Sequence, residues 1–455
     1  MQHRRLNAHC AICLILILLC SYPAVVVSSG LQISENSVSG LGRSFAGASA
    51  YAEDASIIYY NPAALPQLRR SQILFAGHFV SPNVDFKNNN SSLNNGNAIS
   101  GNNDYEVEKR AYLPNIYWAQ KINKAITAGF GINTPYGALT EYDDDWVGRY
   151  HGVKSQLTVI NLNPSIGFRL TKNLSMGAGM NFQYANVNLT SIVDFSAVCS
   201  ATIPQSSCEN LYGITPESAD GFVDINGDGW TTGYNLGMTY NFANVVNLGL
   251  AYRSKVEYQL EGDAKFKTPS EAQFILDSSG LFTNDDVTAE LNLPASLSGS
   301  AHYQVNHKLA LLADVTWTQW STFEEIRIRY LNNGQPDSVT TTNWNDVFRY
   351  ALGIQYQLNK KLLIRAGTAI DKSPTPNAEF QTPRVPNSDR YWFSTGIGYK
   401  LNKQLSLDVA YAHIISDTAD INTTFESSTP TLHHTLIGEY DTTFNIVSAQ
   451  MVWRY

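Results

Sequence analysis

Few residues of this chain are spaced for chemistry, and each set falls short of a complete site. Asp224-Ile225-Asn226-Gly227-Asp228-Gly229 has the opening of an oxygen-ligand calcium loop. The glutamate that closes such a loop is replaced by Asn235, so the segment reads instead as a hairpin turn, N-G and D-G being turn formers. His413 and the pair His433-His434 offer imidazole for a metal or a general base, but no Cys or carboxylate spacing completes a zinc site. No G-x-S-x-G elbow supplies a nucleophile, and no glycine-rich loop supplies a phosphate cradle. The expectation is therefore no catalytic residue, no enzymatic activity, no metal and no cofactor.

The cysteines depend on the compartment. Arg4 and Arg5, the apolar run Ala11 to Leu19 and the small residues Val27, Ser28 and Ser29 make residues 1–28 a secretory signal peptide. Cys20 raises a lipoprotein signal, but Leu19 before it is large, which favours ordinary cleavage. Removal of the leader takes away Cys10, Cys13 and Cys20 and leaves Cys199 and Cys208. A lone pair in an oxidising compartment points to a disulfide, with two free loop thiols as the alternative.

The elements that position these residues are strands. Charged residues make up 15% of the chain, against roughly 25% in soluble domains. Beyond the leader no run of about 18 apolar residues exists to form a membrane helix. The 25 Tyr and 8 Trp suit the aromatic girdles of an outer-membrane barrel. The net charge of −8 argues against nucleic acid as a partner. From Ser71 to Tyr455 apolar and polar residues alternate in segment after segment: Tyr350, Leu352, Ile354 and Tyr356 against Arg349, Ala351, Gly353 and Gln355 is one instance. A short turn cue recurs as I-N-K at Ile122, L-T-K-N-L at Leu170, N-F-A-N at Asn241, V-N-H-K-L at Val305, L-N-K-K-L at Leu358 and L-N-K-Q-L at Leu401. These turns on one side imply seven hairpins, hence about 14 strands. The connections on the other side are long and polar: Asn88 to Asp104, Asp143 to Lys154, Ser191 to Gly229, and Thr268 to Asp286 with a helical stretch S-E-A-Q-F-I-L-D. The predicted fold is all-β: a transmembrane antiparallel β-barrel over residues 71–455 in the bacterial outer membrane, a monomer in contact with outer-membrane lipid and lipopolysaccharide. A soluble β-sandwich is the competing fold.

Residues 29–70 do not alternate. They are rich in Gly, Ala and Ser, end at Asn61-Pro62-Ala63 and precede the first strand, which fits an N-terminal hatch (plug) inside the lumen, packed on Arg349, Arg365 and Asp408. The series G-L-G-R-S-F-A-G-A from Gly40, D-A-S from Asp54 and N-P-A from Asn61 resembles the start of the FadL-type long-chain fatty acid transporters, including their toluene-uptake branch. The resemblance continues through R-S-K-V-E-Y at Arg253, L-N-L-P at Leu291, W-S-T-F at Trp320, F-R-Y-A-L-G at Phe348, D-K-S-P-T-P at Asp371 and P-N-S-D-R-Y-W-F-S-T-G at Pro386. The last strand, V-S-A-Q-M-V-W-R-Y, resembles the signal read by the barrel assembly machinery, with Tyr455 where Phe is commoner.

The resemblance implies uptake of a hydrophobic small molecule, foremost a long-chain fatty acid, by passive diffusion through a lumen pocket and a lateral opening. Aromatic hydrocarbons of the toluene type and a general porin are the alternatives. It places a kink that opens the wall at Pro135-Tyr136-Gly137 and a carboxylate-facing charge at Arg327, where the family's Lys becomes Arg. The family's second basic position maps near Ser191 and is lost. Phe274, Ile275, Leu281 and Phe282 are the implied capture residues in the outer loops.

Overall fold

The computed structural model describes residues 30–107 and 109–455; the leader and Cys10, Cys13 and Cys20 lie outside the described residues. The alternating segments close into an antiparallel barrel of 14 strands. β1 is Gln72–Asn88, β2 is Ala111–Lys121 with the outer piece Asp104–Val107, and β3 is Ile126–Asn133 resumed at Gly137–Glu141. β4 (Lys154–Arg169), β5 (Leu174–Asp194) and β6 (Asp220–Phe242) run unbroken. β7 (Val246–Arg253, Val256–Lys267), β8 (Asp285–Leu293, Ser296–Gln304) and β9 (Leu309–Thr318, Glu325–Tyr330) each come in two pieces. β10 (Ser338–Thr341, Val347–Gln357), β11 (Leu362–Asp371), β12 (Arg390–Lys400), β13 (Leu405–Ser416, Ala419–Thr424) and β14 (Thr435–Arg454) complete the wall. β14 returns to β1 in register from Gln72–Arg454 to Asn88–Gly438, so the sheet has no free edge.

The two faces follow from the period of two. On β10, Phe348, Tyr350, Leu352, Ile354 and Tyr356 are exposed outside while Ala351 and Gln355 are buried. On β14, Val447, Met451, Trp453 and Tyr455 face out while Ser448, Gln450 and Val452 face in. The recurrent turn cue has a local cause. Asn123, Asn306, Asn359 and Asn402 each accept two backbone amides from the following residues, which closes the turn without outside help.

The opposite end carries a cap. The helices Phe195–Thr202 and Gln205–Tyr212 are joined by the Cys199–Cys208 disulfide, and the helix Gln273–Ser279 packs beside them. The segment from Asp224 to Gly229 is not a turn. It lies inside β6, laddered on one side to β5 and, through Asp228, on the other to β7. The polar side chains that suggested a turn are satisfied across the rungs, Asn188 Nδ2 donating to Asp224 and Asn226 at 2.7 and 2.9 Å. Gly227 sits opposite Gly262, where a side chain on Gly262 would collide with the β6 backbone.

Residues 30–71 fill the ring and bond to walls on several sides. Ser49 N donates to Ser300 on β8, Arg349 Nη2 on β10 donates to Ser44 O, and Val38 N donates to Gln450 on β14. A charge network fixes the centre. Glu53 pairs with Arg43 at 2.9 Å and with Arg365, which also holds Asp408 at 2.9 Å. Burial alone would raise the Glu53 carboxyl, but Arg365 and Arg43 outweigh it and hold the group at about 2. At the short-turn end, Asn61 caps the turn Pro62–Gln67 by accepting from Ala63 N, and its Nδ2 donates to Ser49 O at 2.6 Å. Pro62 and Ala63 press on Gly167 of β4 and Gly177 of β5, and Asn61 presses on Gly237 of β6; a Cβ at any of the three would overlap the anchor.

Candidate ligand-binding site

Inward residues of β4 to β9 are apolar at the cap end, and they enclose a cavity of about 90 Å³. Leu157, Val187, Leu260, Val287, Leu291 and Ile326 supply much of its lining. They come from five strands, Val287 and Leu291 both from β8, and each is placed there by the alternation of its own strand. One side chain in this lining is a strong cation. Arg384, from the 372–389 connection, is partly buried and, among the described residues, makes its side-chain hydrogen bonds from Nη1: to Ser155 Oγ at 2.9 Å and to Lys154 O and Thr190 O at 3.4 and 3.5 Å. Among the described residues no carboxylate pairs with it. Loss of water pushes its guanidinium down to about 10, with Tyr330 and Tyr142 opposing, so it stays charged at neutral pH. A charge without a partner among apolar groups is expensive, and an anionic headgroup would relieve it.

Beneath lies a second cavity of about 90 Å³ with a polar lining that includes Asn235, Arg253, Asp314 and Arg349. The hatch arm separates the two: Leu31 lines the upper cavity and Gln32 the lower. The arm is held as a short strand against β3. Gln32 bridges Tyr136, Ile33 N donates to Pro135 O at 2.8 Å and Gly137 N donates to Leu31 O at 2.9 Å. This is where β3 is interrupted. Its first piece pairs with β2 from Ile116–Ile132 to Lys121–Thr127; its second, Gly137–Glu141, pairs with β4 alone. Pro135, Tyr136 and Gly137 thus mark a break in the β2–β3 ladder, with hatch backbone on its inner side. Tyr136 is buried and reaches across the lumen, its hydroxyl donating to Pro294 O at 3.0 Å.

Arg327 is not brought to the cavity. Alternation turns Ile326 and Ile328 inward, while Arg327 pairs with Glu325 at 2.5 Å and Asp337 at 3.0 Å. Phe274, Ile275, Leu281 and Phe282 lie in the cap. Ile275 is buried, Phe274 stacks on Tyr212 at 3.7 Å, and Phe282 packs edge-on to Phe195 at 5.2 Å. Beside them Leu211 is 72% exposed, so the cap presents an apolar surface to solvent. The singled-out histidines sit apart: His434 lies 3.2 Å from Asp194 in the cap, His433 contacts Ser427 O, and His413 contacts Asn445 on the barrel exterior. Sequence reasoning missed Arg384, whose only local sign is a lone cation between Pro383 and Pro386.

Residues 20–455 match the family model described as outer membrane protein transport protein (OMPP1/FadL/TodX). The chain is 32% identical over 411 residues to a putative outer membrane protein of Neisseria meningitidis, covering 87% of this chain and 88% of the relative. It is 30% identical to a long-chain fatty acid transport protein of Escherichia coli, covering 85% and 87%. Among solved structures, a Pseudomonas aeruginosa FadL homologue superposes with a TM-score of 0.84 at 23% identity, covering 93% and 99%. The Pseudomonas putida toluene transporter TodX gives 0.67 at 16%, covering 91% and 97%.

Proposed function

The chain belongs to the OMPP1/FadL/TodX family of outer-membrane transport proteins for hydrophobic compounds, and on that premise we propose that its substrate is a long-chain monocarboxylate bound with its headgroup at Arg384. The observation that carries this is a charged guanidinium that, among the described residues, has no carboxylate partner in a mostly apolar cavity, the bordering Glu290 and Glu325 being paired with Arg329 and Arg327 instead. Among the described residues the Nε and Nη2 edge of Arg384 has no hydrogen-bond partner, and it matches a carboxylate bidentately. The tail lies along Leu157, Val187 and Leu260.

Transport then needs capture and release but no chemical step or energy source. The apolar cap surface around Leu211, Tyr212 and Phe274 takes the solute from water. The hatch, anchored by Asn61, Pro62 and Ala63, blocks the straight path to the periplasm. Release goes sideways through the β2–β3 break. The arm Leu31–Ile33 stands between that break and the cavity, so loss of two backbone hydrogen bonds joins the two. The break lies level with Ile160 and Tyr184, outward residues of β4 and β5.

Titration of the purified protein with oleic acid, oleyl alcohol and toluene separates the readings. The acid should bind at least tenfold more tightly than the alcohol. Equal affinity for acid and alcohol would remove the headgroup role, and preference for toluene would favour an aromatic hydrocarbon as substrate.

A further inference from the structure

The β2–β3 break is not the only interruption of the wall among the described residues, and the one between β8 and β9 lies at the cavity. β8 and β9 pair from Val287–Tyr330 to Ala289–Ile328, and again from Ser296–Thr318 onward. Between these stretches the ladder is absent but for one bond, Gln319 N to Ala295 O at 2.9 Å. The cause is an excess of chain on β9. The residues after Gln319 turn inward as the short helix Trp320–Thr322 and bury Trp320 and Phe323, while β8 runs on past Pro294, which has no amide to donate.

Resting on the cavity assigned above, we infer that this break is the inlet by which a hydrophobic solute reaches the cavity, distinct from the β2–β3 break through which it leaves. The cavity touches both sides of the interruption, Glu290 and Leu291 on β8 and Phe323, Glu325 and Ile326 on β9. Exposed Glu261 also borders the cavity, but there β6 and β7 are joined by ladder at Asp228 and Gly227, and the unladdered stretch below, residues 229–234 against 254–260, meets the cavity on one side only, at Leu260. At the β8–β9 break nothing comparable closes it. Its height suits an inlet. Trp317, Leu297 and Phe348, outward side chains in one cross-strand row, lie just below it, which sets the break at the level of lipopolysaccharide headgroups rather than acyl chains. Its rim is charged and internally neutralised, Glu290 meeting Arg329 at 3.1 Å and Arg327 meeting Glu325 and Asp337. A polar rim over an apolar interior admits a tail that has left the cap while leaving no free charge to hold it.

Continuing the Ala289–Ile328 register by one residue sets Glu290 against Arg327 across the break. The test joins these positions in the full-length protein in lipid nanodiscs, as Glu290→Cys with Arg327→Cys and a short bifunctional maleimide, with each single variant capped by N-ethylmaleimide as control. Stopped-flow fluorescence with parinaric acid reads association, and a titration reads affinity. The joined protein should associate at least fivefold more slowly than the unjoined double variant, with a dissociation constant changed less than twofold. An unchanged rate with the linker verified by mass overturns the inlet, as does a fall in rate matched by an equal fall in affinity. If the unmodified protein binds no parinaric acid at all, the cavity assignment fails instead.

Discussion

Replacing Arg384 by Leu removes the cation and keeps apolar bulk against Ser155 and the cavity. The Nη1 bonds lost to Ser155, Lys154 and Thr190 are ones the folded barrel can spare, because two of them are long and the barrel ladders do not depend on them. What the substitution takes from a fatty acid is a charge-assisted pair on the Nε and Nη2 edge, about 1.5–3 kcal/mol. That corresponds to a loss of about 10- to 150-fold in affinity. The assay is isothermal titration of the nanodisc-embedded protein with oleic acid and with oleyl alcohol. The variant should lose the acid by that factor and bind the alcohol within about threefold of the parent, since burial of the tail is unchanged. Arg384→Lys should recover part of the acid binding, as a point charge without the planar fork. Equal losses for acid and alcohol would mean that Arg384 shapes the cavity and does not recognise the headgroup.

Arg327→Ala should change fatty acid affinity less than about twofold, because Glu325 and Asp337 already neutralise that guanidinium; the same titration reads it. A disulfide built from Gln32→Cys and Tyr136→Cys, facing residues of an antiparallel bridge, should pin the hatch arm to β3: binding persists and uptake of labelled oleate stops, whereas continued uptake would clear the arm of a gating role. Deleting Gly30 to Ala50 should turn a poorly conducting barrel into an open pore in planar bilayers, since it removes Arg43 and the helix at Val38–Leu41. The intact hatch should stay closed at pH 4–5. Glu53 is depressed to about 2, so its contribution is complete above the usual carboxylate value of about 4.3 and is lost progressively as pH falls from there to about 2; conductance that rises already at pH 5 would contradict this. Thiol labelling of the unreduced, unfolded mature protein should find neither Cys199 nor Cys208 free.

The barrel was readable because its determinants are local. A period of two fixes the faces of β10, β13 and β14, and the Asn side chains at 123, 306, 359 and 402 close their own turns. The N-terminal segment left a composition signal, and Arg349 and Arg365, which bond to its Ser44 and Glu53, were visible as charges on lumen-facing positions, as was Asp408, which pairs with Arg365. The segment Asp224–Gly229 was misread because glycine beside Asn or Asp serves a turn and a close strand–strand approach equally well. Arg327 carried a warning in its own strand: in E-I-R-I-R the alternation sets Glu325 beside Arg327, away from the isoleucines that face the cavity. The cavity itself was not legible. Its lining gathers a few residues from each strand from β3 to β9, and Arg384 reaches it from a loop more than two hundred positions away from Leu157. The wall breaks depend on which stretches of neighbouring strands fail to pair, which no single segment encodes.

The most direct test of the whole account is uptake of labelled oleate by cells that lack their own outer-membrane fatty acid transporter and express this chain. The account predicts saturable uptake that falls at limiting oleate when Arg384 becomes Leu and disappears when the arm is locked to β3. A correctly assembled barrel that leaves oleate uptake at the background of the empty cells would contradict it.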